Sequence, residues 1–123
     1  MYTLDTNVII YYLKADEKVV LVLNKLFGQP QPIYISAITE LELFSFSKLS
    51  TQEMERIEEI LNSLAVIPVD SRIARIAGPL RQNYHLKVPD SAIAATALFT
   101  GTILVTRNIL DFQKIPNLSL KKI

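Results

Sequence analysis

The sequence predicts an α/β protein: a three-layer sandwich whose helices flank a central, mainly parallel sheet of four to five strands. Short apolar segments with the composition of buried strands alternate along the chain with longer segments that carry apolar residues at helical spacing. No Asn-Gly or Asp-Gly turn joins two neighbouring apolar runs, so tight hairpins are not indicated. Consecutive strands are therefore expected to run parallel and to be joined through helices.

The predicted strands are short, and polar residues follow several of them. We assign strands to Tyr2–Leu4, Ile33–Ile35, Ala65–Val69 and Ile103–Val105, the third of them buried, and an edge strand to the tail Leu118–Ile123. A parallel sheet binds ligands beyond the carboxyl ends of its strands. Asp5, Asp70 and Asn108 follow predicted strands, and we expect them at that edge.

Start and stop signals place the helices between these strands. Each apolar periodic segment has a polar residue or a capping box before it, or a glycine after it. The first predicted helix follows Asp5-Thr6-Asn7, and the second runs over Val19–Phe27 and ends at Gly28. The third follows Ser36 and carries Ile38, Leu41, Leu43 and Phe44, and the fourth follows the box Ser50–Glu53 and carries Met54, Ile57, Ile60, Leu61 and Leu64. The fifth spans Ile73–Leu80 with a kink at Gly78-Pro79, and the sixth spans Ser91–Phe99 and ends before Gly101.

Composition limits the class of protein. With 123 residues and 50% hydrophobic content, the chain is expected to form a single domain, 1–123, around one core. It has no cysteine, no signal-peptide pattern, and no apolar run near the roughly 20 residues that span a bilayer. We therefore expect a soluble cytoplasmic protein with no membrane contact. A net charge of +1 requires that any affinity for nucleic acid come from a local patch.

Three acidic residues are candidates for one metal site. Asp5 follows the first strand, and Asp90 begins an alanine-rich helix. Glu40 and Glu42 lie two residues apart on a helix and point to nearly opposite sides, so only one of them can face a shared cation. We choose Glu42, because its neighbours are Leu41, Leu43 and Phe44, whereas Glu40 lies in the first turn, where the helix dipole favours an acid.

Each candidate also has an ordinary structural explanation. Asp5 and Asp90 can be helix caps, each worth about 1 kcal/mol, and Glu42 can be a solvated helix residue. Three carboxylates about 4 Å apart would repel one another by roughly 4 kcal/mol per pair, so protons or a divalent cation would have to offset the cost. Oxygen-only ligands favour Mg²⁺ or Mn²⁺. Asn108 or Asp111 can complete such a site, or serve as a turn residue and a helix-terminal acid.

Four motifs in order resemble the PIN-domain family, and in particular its VapC-like toxins. They span nearly the whole chain: Leu4–Asn7, Ser36–Leu43, Pro89–Ala97, and Val105–Asn108 with Asp111-Phe112. The resemblance implies that Asp5, Glu42 and Asp90 bind Mg²⁺ or Mn²⁺. The usual fourth acidic position is Asn108 in this sequence, with Asp111 one helical turn later, and we count Asn108 as a catalytic residue. Thr6, Asn7, Ser36, Thr106 and Asp111 would support these residues.

The function that this resemblance implies is metal-dependent hydrolysis of RNA by an endoribonuclease that is the toxin of a toxin-antitoxin pair. An antitoxin partner and a homodimer are implied with it. Basic residues near the expected cleft are candidates for contacts with RNA phosphates: Arg72, Arg75, Arg81, Lys87 and Arg107. His85 is the only histidine, so a ribonuclease mechanism that needs a histidine pair is excluded within one chain, and we expect His85 at the surface.

Two other functions are compatible with parts of the pattern. Asn108 at the usual fourth acidic position would fit a catalytically weak PIN-like module that binds RNA or protein. A small receiver or nucleotide-binding domain would also place acids beyond parallel strands, but the chain has only three glycines and no Gly-rich phosphate loop.

Overall fold

The computed structural model describes residues 1–45 and 49–123 and contains one five-stranded sheet. Its strands are β1 (Tyr2–Leu4), β2 (Ile33–Ser36), β3 (Ala65–Ile67), β4 (Ile103–Thr106) and β5 (Leu120–Lys122). They lie in the order β3-β2-β1-β4-β5, and every neighbouring pair is parallel. The predicted α/β class, the parallel sheet and the edge strand in the tail are confirmed.

Seven helices lie in the described residues, and two of them begin directly after the predicted caps Ser36 and Ser50. The cap at Asp16 and the short helix after Asn108 were not predicted, and the alanine-rich helix begins at Val88 rather than Ser91. The seven helices are α1 (Thr6–Leu13), α2 (Glu17–Phe27), α3 (Ala37–Phe44), α4 (Thr51–Leu61), α5 (Ser71–Tyr84), α6 (Val88–Thr100) and α7 (Ile109–Phe112). The Ser36 hydroxyl accepts the Ile38 N–H at 3.1 Å, and Ser50 and Glu53 form both bonds of the capping box. Over the described ranges, no helix is both long enough and apolar enough to cross a bilayer.

Helices cover both faces of the sheet, which gives the three predicted layers. Leu4 and Val105 are register partners on β1 and β4, and both pack into a core cluster with apolar residues of α1, α2 and α4. Leu104, one position earlier on β4, packs instead with Ile93 of α6 and Phe112 of α7. Successive strand residues point to opposite faces, so β4 supplies both cores.

The strand order places a crevice at the carboxyl end of β1. The chain builds β2 and β3 on one side of β1 and then crosses to the other side to form β4 and β5. Ligands of open α/β sheets bind where the direction of winding reverses in this way, and here that point lies between β1 and β4. Receiver domains have the strand order 2-1-3-4-5, so the receiver alternative does not fit this chain. The observed order is shared with dinucleotide-binding sheets, and against that alternative stands the lack of a Gly-rich phosphate loop in the sequence.

Several details of burial differ from the sequence prediction. The third strand ends at Ile67, not Val69, and its residues are only half-buried because β3 lies at the sheet edge. Met54 begins the periodic face of α4 but is 45% exposed, since it lies in the first turn of the helix, away from the core. The helix α5 continues through Pro79 to Tyr84.

The predictions at α3 and at Asp70 also need correction. Leu41 and Phe44 are exposed, so the apolar surroundings that we inferred for Glu42 do not exist; only Leu43 is buried among its apolar neighbours. Asp70 follows β3, but its carboxylate accepts the N–H groups of α5 and pairs with Arg72 at 2.8 Å. Asp70 is therefore a helix cap.

Gly101 ends α6 in a conformation that L-residues seldom adopt. Its φ is +65°, and the chain turns there so that the N–H of Thr102 reaches the carbonyl of Ala97 at 3.0 Å. We predict that Gly101→Ala lowers the free energy of unfolding by about 1 kcal/mol, because an alanine in the left-handed region is strained even where its Cβ meets open space.

Gly28, which follows α2, provides the matched control. Its φ of −75° suits any residue, so Gly28→Ala should change the unfolding free energy by less than about 0.5 kcal/mol. Urea denaturation followed by circular dichroism measures both variants. Equal effects of the two substitutions would contradict the assignment of strain to Gly101.

Candidate active site

Four acidic side chains gather at the carboxyl edge of the sheet: Asp5 after β1, Glu42 on α3, Asp90 in the first turn of α6, and Asp111 in α7. The charges of Asp5, Asp111 and Glu42 all act on Asp90. The helix α6 starts at this edge and runs back to the opposite one, where Ile103 begins β4. The fold therefore brings together acids that lie far apart in the chain.

Asp5 is the most deeply buried of these acids. It is 4% exposed, and its carboxylate accepts a hydrogen bond of 2.7 Å from the Thr106 hydroxyl. The same hydroxyl oxygen accepts the backbone N–H of Asn108 at 2.9 Å. Burial raises the pKa of Asp5, the Thr106 hydrogen bond opposes this rise, and the charge of Glu42 adds to it. The carboxylate makes no side-chain cap bond of α1, although the backbone N–H groups of Thr6 and Asn7 at the start of that helix also lower its pKa.

Glu42 is held by a chain of two threonine hydroxyls. Thr6 donates to Glu42 Oε1 at 2.7 Å, and the hydroxyls of Thr6 and Thr39 are 2.9 Å apart. A carboxylate can only accept, so the Thr6 proton points to Glu42 and Thr39 must donate to Thr6. Both threonines are buried. The first residue of α1 therefore fixes the orientation of an acid on α3.

The pKa of Asp90 lies well above that of a free aspartate. Burial, followed by the negative charges of Asp5, Asp111 and Glu42, raises its pKa from 3.8 to about 6, and the positive charge of Lys87 partly opposes this. In the ranges 1–45 and 49–123, no side-chain hydrogen bond stabilises its charged form. A nearby cation would stabilise the charged form of a carboxyl group whose pKa is raised in this way.

Asn108 and Asp111 form one unit on the turn after β4. The Asn108 side-chain amide donates to Asp111 Oδ2 at 3.0 Å, and the backbone N–H of Asn108 bonds to Thr106. The amide therefore orients a carboxylate, and it is Asp111 whose charge acts on Asp90.

The four acids are close enough to affect one another but do not form a preassembled cage. Within the described part of the chain, no three carboxylate or imidazole groups are arranged around one metal position as they stand. Mutual repulsion favours such separation, since each charged carboxylate raises the energy of the next. The donors are all oxygens, which suits a hard cation such as Mg²⁺ or Mn²⁺.

The remaining predicted residues lie in varied places. Asn7 is exposed, and the Ser36 hydroxyl bonds to the start of α3 rather than to an acid. Of the basic candidates, Lys87 acts on Asp90, whereas Arg75 and Arg81 lie exposed on α5. Two others are bound elsewhere: Arg72 to Asp70 and over the Phe99 ring, and Arg107 to Asp16 and over the Tyr11 ring. His85 is exposed, as predicted.

Thr39 and Asp16 contact the site or its supports in the structure but were not among the residues predicted from the sequence. Thr39 has a local signal, because it precedes Glu42 by three residues and so lies on the same side of α3. Asp16 has none, since its partner Arg107 is 91 residues away along the chain.

Comparison with known proteins decides the family. The sequence model of the PIN domain matches residues 2–118. The chain belongs to the PIN domain family. Ribonuclease VapC2 of Rickettsia felis is 30% identical over 129 residues, covering 98% of this chain and 96% of that relative. The predicted resemblance to VapC-like proteins is thus confirmed.

Solved structures agree with this assignment to the PIN domain. VapBC2 from Rickettsia felis, bound to a DNA fragment from its promoter, aligns with a TM-score of 0.84 and 28% identity, over 99% of this chain and 98% of that one. A toxin-antitoxin complex from Klebsiella pneumoniae aligns with a TM-score of 0.81 and 31% identity, over 96% of this chain and 95% of that one.

The raised pKa of Asp90 makes the stability of this PIN domain depend on pH. A carboxyl group whose pKa is higher in the folded state binds its proton more tightly there, so the folded state loses stability as the pH rises from about 4 to above 6. Asp90→Asn removes this loss. We predict that the variant is more stable than the native chain at pH 7.5 by about 1 kcal/mol, a figure reduced for partial solvent exposure.

The measurement is urea denaturation in EDTA at pH 7.5 and pH 4.5. The advantage of Asp90→Asn should shrink at the lower pH, where the native Asp90 is protonated in the folded state. Glu55→Gln, which removes an exposed acid of α4, controls for the change in net charge. A difference between Asp90→Asn and the native chain that does not vary with pH would contradict the assigned cause.

Proposed function

We propose that this PIN domain is a metal-dependent endoribonuclease that hydrolyses RNA phosphodiester bonds. The observation that carries the proposal is the gathering of Asp5, Glu42, Asp90 and Asp111 at the reversal point of the sheet, with raised pKa values at Asp5 and Asp90. Relatives of similar length that are named ribonucleases support it. A cluster of acids of this kind can hold a cation next to the oxygens of a phosphate group.

Asp5, Glu42 and Asp90 are the residues that we assign to a bound Mg²⁺ or Mn²⁺. The cation would draw the carboxylates together and relieve the repulsion that keeps them apart in its absence. When bound, it supplies Lewis acidity toward water and toward the oxygens of a phosphodiester. The hydroxyls of Thr6 and Thr106 limit the rotation of Glu42 and Asp5, so part of the ligand geometry is set before binding.

Hydrogen bonding distinguishes the roles of the acids. Asp5, Glu42 and Asp111 each accept from a named side chain, whereas Asp90 is the one of the four without such a donor among the described residues. We assign Asp90 as the acceptor of the proton that leaves the attacking water. Asp111 supplies the fourth carboxylate, and Asn108 positions it. On this proposal, an Asn at the usual acidic position is compatible with an active domain.

We further propose that the protein acts in the cytoplasm as the toxin of a toxin-antitoxin pair, as a homodimer that an antitoxin protein inhibits. Similar chains are described as VapBC or toxin-antitoxin complexes, and two of the three are bound to DNA. Lys87 is the basic residue that we assign to an RNA phosphate, because its charge already acts at the acidic cluster.

Isosteric removal of each proposed ligand tests the proposed activity. We predict that Asp5→Asn, Glu42→Gln and Asp90→Asn each lower Mn²⁺-dependent cleavage of RNA by roughly a hundredfold or more, because each loses a charge that holds the cation. Cleavage of a labelled RNA is measured with Mn²⁺ and with EDTA, and circular dichroism checks the fold. Glu55→Gln should cleave like the native chain. Full cleavage by all three variants would reject the site.

Expression in bacteria tests the proposed role as a toxin. The native chain should arrest growth, Asp5→Asn should not, and co-expression of the reading frame next to the gene should restore growth. Sequencing of RNA ends during arrest then identifies the cleaved RNA. Arrest that persists with Asp5→Asn would show that toxicity does not come from the proposed chemistry.

A further inference from the structure

We propose that Arg107 is a positioning residue that fixes the turn after β4 through its contacts with Asp16 and Tyr11, rather than a contact for RNA. The turn begins after Thr106, the last residue of β4, which bonds to Asp5, and it carries Asn108, which bonds to Asp111. The inference rests on the proposed function, because it assigns the purpose of this contact to the same site.

The Arg107 side chain is bound at several points. Its two terminal nitrogens donate to the two Asp16 carboxylate oxygens at 3.0 and 3.1 Å, which is the paired geometry that a guanidinium forms with a carboxylate. Its guanidinium carbon lies 4.5 Å from the centre of the Tyr11 ring. The Arg107 and Asp16 side chains are 33% and 31% exposed, so the pair is partly shielded from water.

Asp16 is a fixed attachment point. It is the N-cap of α2, where its carboxylate accepts the N–H of Val19 at 3.3 Å. Its own backbone N–H donates to the carbonyl of Tyr11 at 3.0 Å, which ties the α1–α2 turn to α1. Arg107 therefore attaches the turn after β4 to two helices at once.

The turn that Arg107 occupies has little regular structure of its own. It leads from β4 to α7, which has only four residues, and Asn108 at its start is neither helical nor extended. Thr106 and Asn108, on either side of Arg107 in the chain, supply the hydrogen bonds to Asp5 and Asp111. Thr106 itself is held in β4 by its pairing with β5, so a shift of this turn would move Asn108. Asn108 bonds to the Thr106 hydroxyl through its backbone N–H and to Asp111 through its amide, so both contacts would be disturbed.

These bonds also leave Arg107 poorly suited to bind RNA. The nitrogens that would form a paired contact with a phosphate are already bonded to Asp16, so a phosphate would have to displace a carboxylate. By contrast, Lys87 acts at the acidic cluster and is exposed.

Two substitutions separate positioning from RNA contact. Arg107→Lys keeps the positive charge but loses the paired geometry with Asp16. Asp16→Ser keeps an oxygen that can cap α2 but removes the ion pair, and it leaves the charge of Arg107 in place. Arg56→Ala, which removes an exposed arginine of α4, is the control for Arg107→Ala, the variant that loses both the contact and the positive charge.

The readouts are the Mn²⁺ dissociation constant, kcat and KM for RNA at fixed Mn²⁺, and hydrogen exchange of the Asn108 amide. Both substitutions should weaken Mn²⁺ binding by about tenfold and lower kcat similarly, with KM changed less than about twofold. The Asn108 amide should exchange faster in both variants. The double variant should be no worse than either single one, because both remove the same contact. Arg56→Ala should match the native chain in every readout.

Other outcomes would overturn the inference. If Arg107→Ala raised KM and reduced the salt dependence of RNA binding while Asp16→Ser behaved like the native chain, Arg107 would be an RNA contact. Native Mn²⁺ affinity and native Asn108 exchange in both Arg107→Lys and Asp16→Ser would show that the contact positions nothing. If the native chain failed to cleave RNA, the proposed function would fail, but Mn²⁺ binding and amide exchange would still test the positioning role.

Discussion

Repulsion among carboxylates held at one edge of the sheet is the constraint on which the site depends. The strand order sets Asp5, after β1, next to the turn after β4, and α6 starts beside them with Asp90. Burial and mutual repulsion raise the pKa values of Asp5 and Asp90. The hydroxyls of Thr6 and Thr106 offset part of this cost and also aim the acids. The repulsion destabilises the folded chain, and a bound divalent cation would relieve it, so the same repulsion favours cation binding.

Much of the fold was predictable because its signals are local. Ser36 and the Ser50–Glu53 box are signals of helix starts that involve no more than four consecutive residues. Both form the predicted capping hydrogen bonds. Gly101 marks the end of α6 and has the positive φ that such a position favours. The absence of hairpin turns predicted parallel strands, and a parallel sheet in turn predicted where Asp5 would lie. Motif resemblance then linked Asp5 with Glu42 and Asp90.

The parts that the sequence did not reveal depend on contacts between distant residues. Thr106 and Asp5 are 101 residues apart, and Arg107 and Asp16 are 91 apart, so no periodicity connects them. Glu42 does not lie among apolar neighbours as predicted, because Leu41 faces solvent at 59% exposure. A hydrogen bond from Thr6 holds Glu42 in place. Arginine is a residue type that often contacts RNA, but Arg107 forms an intramolecular ion pair. Only the position of Asp16 in the structure shows this.

The most direct test of a shared cation site at these acids is a crystal grown with Mn²⁺ and measured with X-rays at the manganese absorption edge. We expect an anomalous peak about 2.0–2.3 Å from carboxylate oxygens of Asp5, Glu42 and Asp90, with Thr106 and Thr6 still bonded to their acids. A peak bound by other residues, or no peak at a Mn²⁺ concentration that supports RNA cleavage, would contradict the claim that these acids are arranged to hold a cation.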